Sequence, residues 1–436
     1  MTAPMRPDLA ELTRCFARIG LLSFGGPAAQ IALMHRVVLD EKRWVEEGDY
    51  LRALSLCMLL PGPEAMQLAT WIGWRLHGVR GGLIAGGLFV LPGALIVLGL
   101  SLVYAGFGGV PLVAALFTGV QAAVIAIVIE ALLRVSRRAL KSREALAIAA
   151  AAFAGLFLLD LPFPVIVLGA GLWGFARSRG AARVPPPAPN PAPPPALGAR
   201  RQALRAALIW LAIWLLPLGL LMAAAPGRLA EIGLFFSKLA ILTFGGAYAV
   251  LAWMAQEVVE TRGWLTLAQM MDGLGLAETT PGPLILVNEF VGFMAGFGAG
   301  FGAGSGAGGW LMGLAGAAIA VWMTFVPSFL FIFALAPFVE RLTHMPRLSA
   351  ALAAITAAVV GVIANLSLWF ALHVLFGTVT DTRLGPLHLP WPDPASLRLL
   401  PALIALLAGW LLLRRHWPLL AVLGLSAAVS ALAPLV

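Results

Sequence analysis

Two short motifs interrupt the apolar segments of this chain, and each occurs twice. Phe24-Gly25-Gly26 recurs as Phe244-Gly245-Gly246, and Pro61-Gly62-Pro63 recurs as Pro281-Gly282-Pro283. Glycine and proline weaken a helix by about 1 and about 3 kcal/mol relative to alanine, so each motif should end one helix and let another begin. A helix start presents unpaired N–H groups and about half a positive charge, which suits an anion. We therefore predict an anion site built from these four breaks.

Several polar side chains accompany the motifs and could contact a bound oxyanion. Ser23 and Thr243 could donate their hydroxyl hydrogens to it, or each could bond back to a carbonyl of its own helix. Gln30, Gln67 and Asn288 offer amide donors. The alternative role for the glycine pairs is close packing between helices. The predicted binding set is Ser23, Gly25, Gly26, Pro27, Gln30, Pro61, Gly62, Pro63, Gln67, Thr243, Gly245, Gly246, Pro281, Gly282, Pro283 and Asn288.

Charged side chains near the motifs suggest further roles. Glu64 directly follows the first Pro-Gly-Pro, and Glu278 precedes the second by three residues. A carboxylate within an apolar segment is costly and functional by default, so both are candidate proton carriers or gates, with an ion pair as the alternative. Four basic residues could guide an anion or anchor the chain at a surface. These are Arg18, Lys238, Arg36 and Arg75.

The composition indicates that a membrane positions these residues. Of the 436 residues, 61% are apolar and only 11% are charged, which excludes an ordinary soluble surface. Because about 20 apolar residues span the hydrocarbon as a helix, the fold class predicted is an all-α polytopic membrane protein. The long apolar runs are 81–107, 111–133, 206–226, 310–338, 346–372, 397–413 and 417–435.

The chain contains an internal duplication. When it is aligned with itself at an offset of 220, fifteen of the 48 positions from 16 to 63 are identical without a gap. A glycine-rich insert at 296–309 then changes the offset to 235. Identity at this level exceeds what the biased composition gives by chance, so the two halves are homologous repeats.

The predicted domains follow from this duplication. They are a first repeat at 1–176, a proline-rich cytoplasmic linker at 177–205, a connecting transmembrane helix at 206–230 and a second repeat at 231–436.

The extra helix between the repeats predicts that the second repeat is inverted relative to the first. Residues 134–143 hold five Lys or Arg, whereas the equivalent segment 373–396 holds only Arg383. Because cytoplasmic loops are enriched in positive charge, these two loops should lie on opposite sides of the membrane. The sequence leaves open whether the interrupted segments cross fully, giving 13 spans, or form four re-entrant hairpins beside nine spans.

Four long segments resemble the chromate ion transporter family, in particular its two-domain bacterial members. The resemblance covers essentially the whole chain. It implies a multi-pass protein of the bacterial cytoplasmic (inner) membrane that exports chromate and confers chromate resistance. Sulfate is the oxyanion that resembles this substrate. The segments are "FARIGLLSFGGPAAQIALMHR", "CMLLPGPEAMQLATWIGW", "FSKLAILTFGGAYAV" and "WLTLAQMMDGLGLAETTPGPLILVNEFVGF".

Other function classes are weighed against secondary transport. The sequence has no Walker-type phosphate loop, no nucleophile–base pair and no metal-ligand spacing among its six histidines and two cysteines, so we expect neither an ATPase nor an enzyme and no cofactor. The net charge of +9 is concentrated at the ends of apolar runs, so the expected partners are a chromate-like or sulfate-like dianion and membrane lipid, not nucleic acid. A homodimer is possible. The alternatives are a transporter for sulfate or another oxyanion, and an anion channel.

Overall fold

The computed structural model consists almost entirely of helices. It describes residues 7–178, 198–224, 227–244, 247–302, 306–339, 345–385 and 387–433. Gly245 and Gly246, which belong to the predicted site, lie outside the described residues, as does most of the predicted linker.

In the first repeat and the connecting segment, the described residues form eight helices. A π-helical turn, Arg36–Glu41, follows the second of them, and the fourth has non-helical dihedral angles at His77 and Gly78. The helices are α1 Leu9–Leu22, α2 Gly26–His35, α3 Glu47–Leu59, α4 Glu64–Phe107, α5 Pro111–Ala139, α6 Arg143–Phe157, α7 Phe163–Arg177 and α8 Ala199–Ala224.

The described residues of the second repeat form eight more helices and a two-stranded hairpin. A π-helical turn, Glu257–Thr261, follows its second helix, and short 3₁₀ turns occupy Leu284–Leu286, Ala336–Phe338 and Pro394–Ser396. The helices are α9 Arg228–Leu242, α10 Ala247–Gln256, α11 Leu267–Thr279, α12 Val287–Gly302, α13 Gly306–Leu335, α14 Pro346–Leu375, α15 Leu399–Leu413 and α16 Leu419–Leu432. The antiparallel strands are β1 Val379–Leu384 and β2 Leu387–Pro392.

The local structures of the two repeats correspond in detail. Each begins with a helix, a break, a second helix and a π-helical turn. Each then has a helix that ends two residues before the first proline of Pro-Gly-Pro. After each π-helical turn a basic side chain lies over an indole ring, Lys42 over Trp44 and Arg262 over Trp264. The shared irregularities show that the duplicated sequence specifies the same local backbone twice.

The interrupted segments of the first repeat fold back on themselves. Lys42 Nζ, beyond the π-helical turn, donates a 2.7 Å hydrogen bond to Oε1 of Glu11 in the first turn of α1, and this bond raises the pKa of Lys42. Likewise Arg75 Nη2 lies 3.7 Å from Oδ2 of Asp49, which is in the first turn of α3. In both segments, residues beyond the break therefore lie close to the start of the helix that precedes it. The 13 residues of α3 are about 20 Å long, less than the hydrocarbon thickness of about 30 Å.

Glycines allow helices in both repeats to pack closely. A Cβ atom at Gly73 would collide with the carbonyl of Gly81, across the kink that divides α4. In the second repeat, a Cβ at Gly292 would lie 2.6 Å from the carbonyl oxygen of Gly316, and one at Gly300 would lie 2.6 Å from that of Gly308. The backbones of α12 and α13 therefore touch where these glycines face one another.

The described chain divides into two compact units, and each contains segments of both repeats. The first unit comprises residues 1–98, 175–247 and 280–350. In it α13 packs against α8, α9 and α12. Trp210 on α8 contacts Phe329 and Phe333 on α13, with ring centroids 5.4 and 5.3 Å apart.

The second unit comprises residues 99–174, 248–279 and 351–436. Helix α5 packs against α11, α15 and α16, and a core of small and aliphatic side chains such as Ala123, Ala408 and Leu423 fills the centre. A second cluster joins α6, α7 and α14 through Ala152, Ala170 and Ala358.

Among the described residues, five helices are long and apolar enough to cross a membrane, which makes this a multi-pass membrane protein. They are Glu64–Phe107, Pro111–Ala139, Arg200–Ala224, Gly306–Phe338 and Pro346–Leu375. Further apolar helices of 10–17 residues are present. Large apolar side chains on these helices, such as Leu406 and Leu311, are exposed, as expected for surfaces that face hydrocarbon.

Candidate anion site

A reciprocal pair of backbone hydrogen bonds joins the interrupted segments of the two repeats. The N–H of Gly62 donates to the carbonyl of Thr243 at 2.8 Å, and the N–H of Gly282 donates to the carbonyl of Ser23, also at 2.8 Å. Gly62 and Gly282 are related by the offset of 220, as are Ser23 and Thr243. The same contact made in both directions is the signature of local two-fold symmetry.

A small cavity, partly open to the surface, lies beside these hydrogen bonds, within the first unit. Its lining comes from the starts of four helical segments: α2, α4, α10 and the 3₁₀ turn that leads into α12. Each start leaves backbone N–H groups without intrahelical partners and carries a partial positive charge. The lining residues are Pro27, Gln30, Gly62, Pro63, Glu64, Ala65, Ala247, Pro283, Leu284 and Ile285.

The glycines at the breaks are required by the backbone itself. Gly25, which caps α2, has φ of 84°, and Gly62 has φ of 118°. Side chains other than hydrogen rarely adopt such dihedral angles. Pro27 lies in the first turn of α2, where a missing N–H costs nothing, whereas Pro63 lies one residue before α4.

The hydroxyl groups at the breaks serve their own helices. Ser23 Oγ donates to the carbonyl of Ile19 at 2.6 Å, and Thr243 Oγ1 donates to that of Leu239 at 2.7 Å. Both residues are almost fully buried. Because each hydroxyl hydrogen is already used, the structure favours the second of the two roles considered from the sequence, helix back-bonding, over donation to an anion.

Gln30 holds the two repeats together at the cavity. Its Nε2 donates to the carbonyls of Ser23 at 3.2 Å and Gly282 at 2.6 Å, which uses both amide hydrogens. Its Oε1 is buried and has no hydrogen-bond partner. The expected role as an amide donor to an anion is therefore not available in this arrangement, because the N–H groups satisfy two backbone carbonyls. The Oε1 atom of Gln30 can still accept a hydrogen bond from a water or another donor group.

Gln67 and Asn288 repeat this pattern deeper in the first unit. Gln67 Nε2 donates to the carbonyl of Pro61 at 2.7 Å and lies 3.5 Å from Oγ of Ser328. Asn288 Nδ2 donates to Oγ1 of Thr324 at 3.0 Å. Neither residue lines the cavity, and their amide oxygens are buried without partners. Gln67 therefore supports the first Pro-Gly-Pro break, and both side chains contact α13.

The two predicted acidic candidates occupy different places. Glu64, the first residue of α4, lines the cavity. Glu278 lies in the second unit, where its Oε1 accepts a 2.6 Å hydrogen bond from the hydroxyl of Tyr248, and it is not among the lining residues. Only Glu64 is placed to act directly on a charge in the cavity.

The four predicted basic residues all have exposed side chains, and none lines the cavity. Arg36 lies 3.7 Å from Glu41, and Arg75 pairs with Asp49. Arg18 and Lys238 lie on the outer faces of α1 and α9. Their positions are consistent with the anchoring role considered from the sequence.

The motifs did not point to Asp272, a buried carboxylate on α11. Its side chain is only 3% exposed. The sequence feature that could have identified it is its place as a single acidic residue within the apolar segment 267–277, away from both repeated motifs.

These features define a class: a multi-pass helical membrane protein with an internal duplication and a cavity lined by converging helix starts. A protein-family model described as Chromate transporter matches residues 10–175 and 230–431, and the chain belongs to that family.

Relatives of similar length support the assignment. The chain is 34% identical over 363 residues to a chromate transport protein of Pseudomonas aeruginosa, covering 81% of this chain and 79% of that protein. It is 30% identical over 365 residues to a chromate transport protein of Cupriavidus metallidurans, covering 83% and 82%. No solved structure matches the chain.

Proposed function

We propose that this protein is a secondary transporter that exports chromate across the bacterial cytoplasmic membrane and thereby confers resistance. Two relatives that cover about four fifths of the chain are named chromate transport proteins. The single observation that carries the mechanism is the cavity at which four helical segments begin.

The cavity suits a dianion because it offers positive potential without a basic side chain. Each of the three α-helix starts carries about half a positive charge, and these partial charges add at the cavity. None of the lining residues is Lys, Arg or His. An oxyanion held by backbone dipoles can leave more readily than one paired with arginine, which suits a carrier that must release its substrate.

Alternating access follows from inverted repeats, which we include in the proposal. The reciprocal bonds of Gly62 and Gly282 support a two-fold relation between the repeats. The excess of basic residues in 134–143 over 373–396 supports an axis lying in the membrane plane. In the first repeat the Glu11–Lys42 and Asp49–Arg75 contacts support re-entrant hairpins over full crossings.

Membrane voltage alone could drive export. At 100 mV, inside negative, outward movement of a dianion is favoured by roughly 4.6 kcal/mol, which is twice about 2.3 per charge. Glu64 adds a gate, because its ionised carboxylate would repel a dianion in the same cavity. Anion binding should therefore favour protonated Glu64.

The experiment is uptake by inverted membrane vesicles, in which export appears as accumulation. Vesicles that contain the protein should accumulate radiolabelled chromate with saturating kinetics, and an inside-positive voltage should increase the rate. Vesicles without the protein are the control. Sulfate and molybdate are added as competitors.

The outcomes separate the alternatives. Equal or better transport of sulfate, with weak competition by chromate, would assign the protein to a different oxyanion. Flux that does not saturate and shows no counterflow would assign it to the channel class. Absence of chromate accumulation in energised vesicles would overturn export.

A further inference from the structure

A buried carboxylate in the second unit has no counter-charge. Both oxygens of Asp272 accept hydrogen bonds from neutral groups, Oδ2 from the Tyr104 hydroxyl at 2.7 Å and Oδ1 from Gln121 Nε2 at 2.8 Å. Within the described part of the chain no basic side chain pairs with it. A carboxylate in a membrane protein without a cation partner is expensive to keep, so its retention calls for a function.

The groups around Asp272 are closely packed. Tyr104 packs edge-on against Phe117, with ring centroids 5.1 Å apart. One turn along α11, a side chain at Gly275 would collide with Val120 of α5, so the two helices are in close contact. Helix α16 also packs against α11 and contains no titratable side chain. Asp272 is thus held in a fixed position by two neutral donors.

The chemistry of this arrangement fits a proton. When the carboxylate is ionised, Tyr104 and Gln121 donate to it, as observed. When a hydronium ion gives its proton to Oδ2, one O–H bond of the hydronium breaks, one forms on Asp272 and water is released. The charge of the side chain changes from −1 to 0, and the Tyr104 oxygen can become the acceptor. Tyr104 and Gln121 are only partly buried, so they connect the carboxylate to the surface of the unit.

Glu278, on the same helix, has a different environment. It also accepts from a tyrosine, but Arg134 acts on it electrostatically together with Glu130. Six residues separate Glu278 from Asp272, a rise of about 9 Å, which is too far for a direct proton transfer. Asp272 is therefore the carboxylate whose charge is balanced only by neutral hydrogen bonds.

We propose that Asp272 is a proton-binding site that takes up and releases one proton in each transport cycle, with Tyr104 and Gln121 as positioning residues. This inference rests on the proposed anion transport and specifies its coupling: a proton moves inward as the anion moves outward. In sequence, α11 leads into Pro281-Gly282-Pro283, so a change at Asp272 has a short covalent route to the turn that lines the cavity.

The test uses the full chain in proteoliposomes with a pH-sensitive dye inside. Net chromate movement through the wild-type protein should produce an opposite movement of protons. Asp272→Asn should reduce the proton signal per chromate by about tenfold or more, while chromate–chromate exchange, which needs no proton, continues. Glu47→Gln removes an exposed carboxylate and should change neither measurement.

A second variant removes one oxygen atom and keeps the packing. Tyr104→Phe preserves the contact with Phe117 and deletes one hydrogen bond to the ionised carboxylate. The pH of half-maximal net transport should rise by about one unit, because a hydrogen bond to a charged group contributes about 1.5 kcal/mol or more. A merely structural role would lower the rate without moving this midpoint.

The results of these experiments distinguish failure of the proposed proton coupling from failure of the proposed chromate transport. A proton signal in Asp272→Asn equal to that of the wild type would overturn the inference and leave the proposed function intact. Absence of wild-type chromate exchange would overturn the proposed function. In that case infrared titration of the purified protein decides on Asp272: the protonated-carboxyl band should be smaller in Asp272→Asn, and an unchanged band would remove the proton site.

Discussion

Where the first repeat places Glu64 directly after its Pro-Gly-Pro turn, the second places Leu284, and where the first has Gln30, the second has Val250. The backbone at these positions is nevertheless paired reciprocally through Gly62 and Gly282. The duplicated backbone has been kept while the side chains have diverged. This difference teaches that the helix starts and the polar side chains perform separable tasks.

The second repeat also has acidic residues that the first repeat lacks. The second repeat carries Asp272 and Glu278 where the first carries Arg52 and Met58. We infer a division of labour in which both repeats supply backbone dipoles to the cavity, the first supplies its polar lining, and the second supplies the buried carboxylates of α11.

The largest expected effect comes from the shared backbone. A Cβ at Gly62 would lie 2.7 Å from Nε2 of Gln67 and 2.9 Å from Oγ of Ser328, and φ at Gly62 is 118°. Gly62→Ala should therefore abolish chromate uptake and lower the thermal stability of the purified protein, since such a conformation costs about 1–3 kcal/mol.

Gly282→Ala tests whether the two repeats depend equally on the glycine of Pro-Gly-Pro. Its φ is 95°, and a Cβ there would lie 3.1 Å from Cδ1 of Leu286, a flexible side chain. We expect loss of uptake with a smaller loss of stability. Gly99→Ala, which meets no atom within 4 Å, is the matched control. Normal uptake in both turn variants would refute the assignment of the cavity as the binding site.

The next effect concerns the asymmetric carboxylate. Glu64→Gln removes the carboxylate, and with it the negative charge of its ionised form, from the cavity. At alkaline pH the variant should bind at least about tenfold more tightly than the wild type, because two like charges in one cavity repel by several kcal/mol. Binding is measured by isothermal titration across the pH range.

Leu284→Glu sharpens the same comparison by giving the second repeat its own carboxylate. Ionised, it should weaken chromate binding at alkaline pH by a similar factor. If Glu64→Gln keeps the pH profile of the wild type, Glu64 is not the gate and the asymmetry at this position has no electrostatic role.

The smallest effect is expected from the hydroxyl groups that the repeats share in position. Ser23→Ala and Thr243→Val each remove one bond to a carbonyl of the same helix. The KM for chromate should change by less than about threefold, because such back-bonding contributes little to helix stability. A tenfold rise in KM would mean that the hydroxyl turns to the anion during transport.

Much of the fold could be predicted because its signals are local. Apolar runs predicted helices, and the repeated motifs predicted where α1, α3, α9 and α11 end. Inversion of the repeats, the domain boundaries and the site itself stay predictions. The roles of Gln30 and Gln67 could not be predicted, because an amide can donate or accept and only the folded positions of the Gly282 and Pro61 carbonyls decide which.

The sequence by itself determined that the chain is a duplicated, helical membrane protein with four glycine and proline breaks, since composition and dihedral preference act through near neighbours. Only the tertiary structure decided that Gly62 bonds to Thr243 and Gly282 to Ser23, that Glu64 lines the cavity, and that Asp272 is buried among neutral donors. These are contacts between residues some 150 to 260 positions apart. No local preference encodes them, because they depend on how whole helices pack.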